Sequence, residues 1–131
     1  MKPADYDSSR KYPLLVVIHG GPTGFDTPVA AADRYYPIER FAAKGELILR
    51  PNYRGSAGYG EAFRSLNVRN LGLGDYQDVI SGVDSLIAKG MVDKDRVGAM
   101  GWSQGGYISA FITTYRDRFK AVSVGWASPI A

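Results

Sequence analysis

The feature that most constrains this chain is a short apolar run that ends in closely spaced glycines. Residues 97–110 read Val-Gly-Ala-Met-Gly-Trp-Ser-Gln-Gly-Gly-Tyr-Ile-Ser-Ala, a pattern typical of a buried strand, a sharp turn and a helix. Residues 101–105 fit G-x-S-x-G, in which a serine occupies a strained corner between strand and helix. A Cβ atom on either flanking glycine would collide with the reversing backbone. We therefore predict that the Ser103 hydroxyl projects above the end of a sheet, with the Gln104 backbone N–H aimed into the same space.

A second glycine turn follows another apolar run. Residues 12–18 read Tyr-Pro-Leu-Leu-Val-Val-Ile, without the polar alternation of a half-exposed strand, which favours a parallel strand buried on both faces. The run ends at residues 19–24, His-Gly-Gly-Pro-Thr-Gly. Because ligands bind at the carboxyl ends of the strands in parallel sheets, we expect this glycine loop and the serine corner to lie on the same face.

Helix and strand signals alternate along the remainder of the chain, and this predicts an α/β fold with a parallel sheet of about four strands flanked by helices. We expect residues 1–11 to form a loose lead-in and Asp75 to cap an amphipathic helix closed by Gly90. In that helix Asp78 and Asp84 are expected to face water. The other expected elements are a helix from about 37 to 44, a strand at 46–50, a short helix at 61–66, a surface turn at 93–96, a strand at 97–102, a helix to about 115 and a strand at 121–125.

Composition excludes several classes of function. The 131 residues suit a single domain. The 16 basic and 13 acidic residues are scattered, so we expect no nucleic-acid or lipid-binding patch. With one histidine and no cysteine, thiol chemistry is excluded and no metal site is expected. No apolar stretch approaches the length of a membrane span, so we expect no membrane segment and a cytoplasmic location.

A nucleotide-binding domain is the obvious alternative for a glycine-rich α/β chain, and the glycine spacing argues against it. The glycines of residues 55–60 stand in the reverse of the spacing that a dinucleotide-binding fingerprint requires. The turn at 72–74 is followed by Gln77 where the fingerprint needs a third glycine, and the pattern G-x-x-x-x-G-K-[ST] is absent. We therefore expect no nucleotide and no other cofactor.

Four segments together resemble a known family. They are residues 17–22 (Val-Ile-His-Gly-Gly-Pro), 52–60 (Asn-Tyr-Arg-Gly-Ser-Ala-Gly-Tyr-Gly), 75–79 (Asp-Tyr-Gln-Asp-Val) and 95–106 (Asp-Arg-Val-Gly-Ala-Met-Gly-Trp-Ser-Gln-Gly-Gly). In this order and spacing, over roughly residues 12–125, the chain resembles the catalytic domain of the prolyl oligopeptidase family of serine peptidases. Within that family it is most similar to the acylaminoacyl-peptidase and dipeptidyl-peptidase branches.

The resemblance implies an α/β-hydrolase fold and hydrolysis of peptide amides or small esters through an acyl-enzyme. Ser103 matches the nucleophile of the family. The backbone N–H groups of Gly21 and Gln104 match an oxyanion hole, in which two donors meet the charge that develops on the carbonyl oxygen. His19 matches a residue that orders the glycine loop, although a role as general base stays open.

The sequence departs from the family pattern after the serine. The triad of α/β hydrolases runs Ser, then Asp or Glu, then His, and no histidine follows Ser103. The sole acid after Ser103 is Asp117, which lies between two arginines and is expected to be a solvated charge beyond a helix end. We interpret residues 1–131 as a single incomplete hydrolase domain without the acid and base of its triad. Its activity is then expected to be weak or to depend on oligomerisation.

Further interpretations of the oligomeric state and of the activity stay open. By analogy with the family, the strand order is 45–51, 12–18, 97–102, 121–125, with both outer edges exposed, so we expect a homo-oligomer or domain swapping. The chain is then either a hydrolase or an inactive fragment that serves as a folded self-associating or binding module. A third possibility is a minimal esterase assembled across subunits, with His19 as its base.

Overall fold

The computed structural model describes residues 1–21, 23–28, 36–115 and 117–125, and in these ranges strands alternate with helices. The elements are β1 (Tyr12–Ile18), α1 (Ile38–Ala43), β2 (Leu47–Leu49), α2 (Glu61–Arg64), α3 (Gly74–Ala88), β3 (Val92–Trp102), α4 (Gln104–Tyr115) and β4 (Ala121–Gly125), with a 3₁₀ turn at Ser65–Asn67 after α2. Neighbouring strands are parallel, in the order β2-β1-β3-β4. The predicted α/β class and strand order are confirmed.

Strand β1 lies inside the sheet and is buried on both faces, as its unbroken apolar sequence predicts. Val16 and Ile18 are fully buried in the larger core cluster, which α3 and α4 cover. Leu15 and Val17 point to the other face, into a smaller cluster covered by α1. Successive side chains of a strand point to opposite faces, so a strand buried on both sides needs an apolar residue at every position.

Strand β3 is longer than predicted because it begins before the expected surface turn. Tyr12 of β1 pairs with Val92, and Leu14 pairs with Val97, so two steps along β1 correspond to five along β3. The extra residues 93–96 form an irregularity at which Lys94 and its two neighbours on the C-terminal side are exposed. The expected solvent exposure of these residues is thus correct, while their assignment to a turn outside the strand is wrong.

The lead-in is docked and not loose, although residues 1–11 contain no helix or strand. The amino group of Met1 donates to the Ile48 carbonyl oxygen at 2.7 Å, and the Ile48 N–H donates back to the Met1 carbonyl oxygen at 3.0 Å. Tyr6 stacks on Tyr12 with ring centroids 5.4 Å apart. The outer side of β2, which we expected to be bare, is therefore partly occupied by backbone hydrogen bonds.

The helices cover the sheet and end where the sequence predicts. Gly90 has a φ of +72° just beyond the end of α3, and Gly45 has a φ of +89° after α1. This left-handed backbone suits glycine and stops a helix. Across the described ranges, none of the helices has the length and apolarity needed to cross a bilayer.

Candidate active site

Ser103 lies at the corner between β3 and α4. Its φ is +58°, a left-handed value that costs a non-glycine residue about 1–2 kcal/mol and is held here by the surrounding backbone. The Ser103 N–H donates to the Gly125 carbonyl oxygen at 3.2 Å, and the Ser103 carbonyl oxygen accepts from the Tyr107 N–H at 2.9 Å. The corner is thus fixed both by the end of β4 and by the first turn of α4.

The two glycines of the G-x-S-x-G pattern are required by close backbone contacts. A Cβ atom on Gly101 would overlap the carbonyl group of Gly105. A Cβ atom on Gly105 would overlap the carbonyl group of Ile18. Helix α4 therefore begins directly against the ends of β3 and β1, which is possible because neither glycine has a side chain.

The glycine loop after β1 lies beside this corner, because Ile18 pairs with Gly101 in the sheet. An ideal Cβ atom on Gly20 would stand 3.4 Å from the Ser103 Cβ and 3.1 Å from the Trp102 carbonyl oxygen. An ideal Cβ atom on Gly21 would stand 3.5 Å from the Gln104 Oε1. The structure thus brings together Ser103, Gln104 and Gly21, three of the residues selected from sequence. Pro22 of the same loop lies outside the described residues.

The imidazole of His19 is used inside the loop. Its Nδ1 donates to the Gly20 carbonyl oxygen at 2.7 Å, since a carbonyl oxygen can only accept. Its Nε2 lies 2.9 Å from the Ser56 Oγ. The ring stacks on Tyr53 with centroids 4.4 Å apart and is 8% exposed. Both nitrogens of His19 are therefore engaged by groups that shape the glycine loop.

Tyr53 and Ser56 both contact His19. Neither was selected as a site residue from the sequence. The Tyr53 hydroxyl donates to the His19 carbonyl oxygen at 2.8 Å, and the Ser56 hydroxyl lies 2.6 Å from the Tyr53 carbonyl oxygen. Burial, with a smaller contribution from the charge of Asp75, raises the pKa of Tyr53 far above its usual value. The phenol thus stays a donor at ordinary pH. The signal that could have found these residues is their position in a loop after β2, the neighbour of β1.

Asp78 anchors this supporting loop, contrary to the expectation that it faces water. Its Oδ2 accepts from the backbone N–H and the Nε of Arg54, and its Oδ1 accepts from the Arg54 Nη2, all at 2.8 Å. Burial alone would raise the pKa of Asp78, but the hydrogen bonds and charge of Arg54 lower it below the usual value. A planar guanidinium matches a carboxylate in this two-bond geometry. The pairing explains why Asp78 points toward Arg54 and does not face water.

Asp75 differs most from the sequence prediction. It was expected to cap α3, but Leu73 is the residue at the cap and Asp75 lies in the first turn, fully buried. Its Oδ1 accepts from the backbone N–H groups of Gly72 and Tyr76, both at 2.9 Å. Its Oδ2 accepts from the Gln104 Nε2 at 3.2 Å. Nothing in the local sequence pattern indicates this contact, because the two residues are 29 positions apart.

Asp117 is exposed beyond the end of α4, as expected of a solvated charge. Its neighbour Arg118 is paired with Asp84 of α3, while Arg116 lies outside the described residues. Within the described ranges, no group of three or more His, Asp or Glu side chains is arranged to hold a metal ion.

A parallel α/β sheet, with a serine on a strained strand-to-helix corner and a glycine loop beside it, defines the α/β-hydrolase class of proteins. Comparison with known sequences then specifies the family. Residues 34–127 match the model of the prolyl oligopeptidase family of peptidases. The chain belongs to the prolyl oligopeptidase family, as the resemblance of its motifs predicted.

Individual relatives agree with this assignment. The chain is 35% identical over 122 residues to the uncharacterized peptidase YuxL of Bacillus subtilis, covering 92% of this chain and 18% of that protein. It is 35% identical over 109 residues to the prolyl endopeptidase FAP of Mus musculus, covering 82% of this chain and 14% of that protein. The chain thus spans less than a fifth of the length of these relatives.

Solved structures show the same fold. The acylaminoacyl peptidase of Pyrococcus horikoshii superposes with a TM-score of 0.81 and 34% identity, over 92% of this chain and 19% of that one. A puromycin-hydrolyzing peptidase of Mycobacterium tuberculosis superposes with a TM-score of 0.77 and 36% identity, over 87% of this chain and 17% of that one. Both are α/β-hydrolase peptidases of the kind that the sequence resembles.

Proposed function

We propose that Ser103 is the nucleophile, and Gly21 and Gln104 the oxyanion hole, of a serine peptidase that also accepts small esters. The Ser103 Oγ attacks the carbonyl carbon of the substrate, and loss of the leaving amine or alcohol gives an acyl-enzyme that water hydrolyses. The observation that carries this proposal is the position of Ser103, at a left-handed corner directly beside the glycine loop. Membership of a peptidase family supports the reaction class.

The backbone N–H groups of Gly21 and Gln104 are the proposed oxyanion donors. Gln104 is the first residue of α4, where the unpaired N–H groups and the helix dipole favour negative charge. Gly21 lies across from it on the glycine loop and has no side chain of its own to obstruct an approaching substrate. Two fixed donors of this kind stabilise the charge on the carbonyl oxygen in the transition state, and each is worth about 100-fold or more in rate.

His19 is proposed as a support of the loop and not as the general base. Both of its ring nitrogens are engaged within the loop, so accepting a proton from Ser103 would break the loop that presents Gly21. It is also the single histidine of the 131 residues. We propose that the general base is supplied from outside residues 1–131 or by another subunit.

Labelling with a fluorophosphonate tests the proposal, because the reagent forms a covalent bond to an activated serine oxygen. We expect mass spectrometry to place the label on Ser103, slowly in this chain because the proposed general base comes from elsewhere. Ser103→Ala should abolish the label, while Ser81→Ala, which changes an exposed serine of α3, should leave it intact. Equal labelling of the wild type and Ser103→Ala would contradict the proposal.

An inactive binding module is the second candidate, favoured by the engagement of the lone histidine inside the loop. In that case Ser103 keeps its position at the corner but does not react. The wild type would then remain unlabelled even over the prolonged reaction in which the first candidate predicts slow labelling, while a complete serine peptidase labelled in parallel shows that the reagent is active. The two candidates therefore give opposite results in one experiment.

A further inference from the structure

The carboxylate of Asp75 contacts the candidate site but has no part in the chemistry proposed above. It is fully buried, and taking a carboxylate out of water costs several kcal/mol unless hydrogen bonds replace the solvent. A carboxylate that interacted only with the N-terminus of α3 could do so from the helix surface, where water would still solvate it. Burial of Asp75 therefore points to a neighbour that depends on it.

Backbone donors fix the orientation of this carboxylate. The N–H groups of Gly72 and Tyr76 both donate to the Oδ1 at 2.9 Å. The Oδ2 is left to face the Gln104 Nε2 at 3.2 Å. Because backbone groups on either side of the start of α3 hold the carboxylate, Asp75 orients Gln104 and not the reverse.

The side chain of Gln104 is oriented as a result. A carboxylate only accepts, so the amide nitrogen of Gln104 faces Asp75 and the amide oxygen faces away from it. On that opposite side the Oε1 lies 3.5 Å from the position of an ideal Cβ on Gly21. The Gln104 side chain thus spans from α3 to the glycine loop. It connects Asp75 to both proposed oxyanion donors, which are the backbone N–H of Gln104 itself and that of Gly21.

We propose that Asp75 is a positioning residue for the oxyanion hole, which through Gln104 holds the start of α4 and the glycine loop at a fixed separation. The inference rests on the proposed function, because that function assigns the donors at Gly21 and Gln104. Asp75 contacts neither the substrate nor the reacting atoms. Its effect is on alignment, where an error of 1 Å can cost about 100-fold in rate.

Exchange of the charge between the two positions tests this coupling. Gln104→Glu replaces the amide that donates to Asp75 by a second carboxylate, and two carboxylates in contact repel each other. Adding Asp75→Asn restores one donor and one acceptor. We expect Gln104→Glu to slow fluorophosphonate labelling of Ser103 by about tenfold or more, and the double variant to return to within about threefold of the wild type. Asp84→Asn, an exposed change on the same helix, should have no effect.

Backbone amide resonances of Gly20 and Gly21 give a second measurement that needs no activity, because neither residue is changed in any of the variants. They should shift in Gln104→Glu, return to their wild-type positions in the double variant and stay unchanged in Asp84→Asn. If the wild type does not label, the proposed function fails, while these resonances still decide whether Asp75 positions the glycine loop. If Gln104→Glu does not fold, Gln104→Met replaces it, and the same shift is expected without rescue by Asp75→Asn.

The proposal is overturned by either of two results. One is a double variant whose labelling rate and amide resonances are no closer to those of the wild type than the values for Gln104→Glu are. The other is wild-type resonances and labelling in every variant, which would show that the contact between Asp75 and Gln104 holds nothing in place.

Discussion

At the scale of single residues, the corner depends on two positions for different reasons. Ser103 has a left-handed φ of +58° that any side chain finds costly. Gly105 has no such φ; it is needed because a Cβ atom would overlap the Ile18 carbonyl group. Strain is therefore accepted at the residue that presents the hydroxyl and is avoided at the residue that packs beneath it.

Gly105→Ala should accordingly be among the most damaging single-atom additions to the chain. The new methyl group meets backbone and not a flexible side chain, so we expect a loss of about 3 kcal/mol or more in the free energy of unfolding. Gly45→Ala is the matched control, with open space around it and a φ of +89°, and should cost about 1–2 kcal/mol. Urea unfolding followed by circular dichroism measures both, and equal losses would contradict the steric explanation.

Tyr53→Phe removes one hydroxyl from beneath the glycine loop. The His19 carbonyl oxygen then loses its buried donor, and we expect a loss of about 1–2 kcal/mol in the free energy of unfolding, together with slower labelling of Ser103. Tyr115→Phe, on the half-exposed tyrosine at the end of α4, should change neither quantity. Unfolding in urea and the rate of labelling, measured on the same samples, check the prediction.

At the scale of elements, the sequence predicts what is encoded locally and misses what is encoded between distant segments. Strand β1 is an apolar run, and glycines mark the ends of α1 and α3 and the corner at Ser103, so the order of elements and this corner could be predicted. The contact between Asp75 and Gln104 joins residues 29 positions apart, and that between His19 and Ser56 joins residues 37 apart. No local pattern distinguishes such an acid or hydroxyl from one that faces water.

The link between α3 and the loop after β2 gives a prediction about pH. Arg54 lowers the pKa of Asp78 in the folded state, so the ionised form contributes stability above the usual pKa of 3.8, and this contribution is lost as pH falls through the lower folded value. Both side chains are about one-third exposed, so the effect is modest.

Unfolding in urea at a series of pH values between 2 and 6 measures this contribution. The difference in free energy of unfolding between the wild type and Asp78→Asn should be largest above pH 4 and should shrink in more acidic solution. Asp95→Asn provides the control, since its pair with Lys94 is mostly exposed. A difference that grows on acidification would contradict the predicted sign.

At the scale of the whole molecule, the two edges of the sheet are not equivalent. Met1 exchanges two backbone hydrogen bonds with Ile48 on the side of β2. On the other side, β4 pairs with β3 alone among the described residues, and its Val124 is 44% exposed. An exposed apolar edge strand favours pairing with another chain, so self-association is expected at β4 and less at β2.

Val124→Lys should weaken that association, because a lysine on an edge strand opposes further pairing. Sedimentation velocity at micromolar concentration should show a larger species for the wild type and a shift toward the monomer in the variant. Val68→Lys changes a valine that is 69% exposed outside any strand and should leave the wild-type distribution unchanged. A monomeric wild type would remove the basis for this prediction.

The contact of Gly105 with Ile18 has one more consequence, for how such a chain can change over generations. The stability of the fold and the position of Ser103 both depend on the contact where the start of α4 meets the end of β1. A lineage that altered this junction would lose both together, so we expect inherited changes to accumulate in segments that the junction leaves alone.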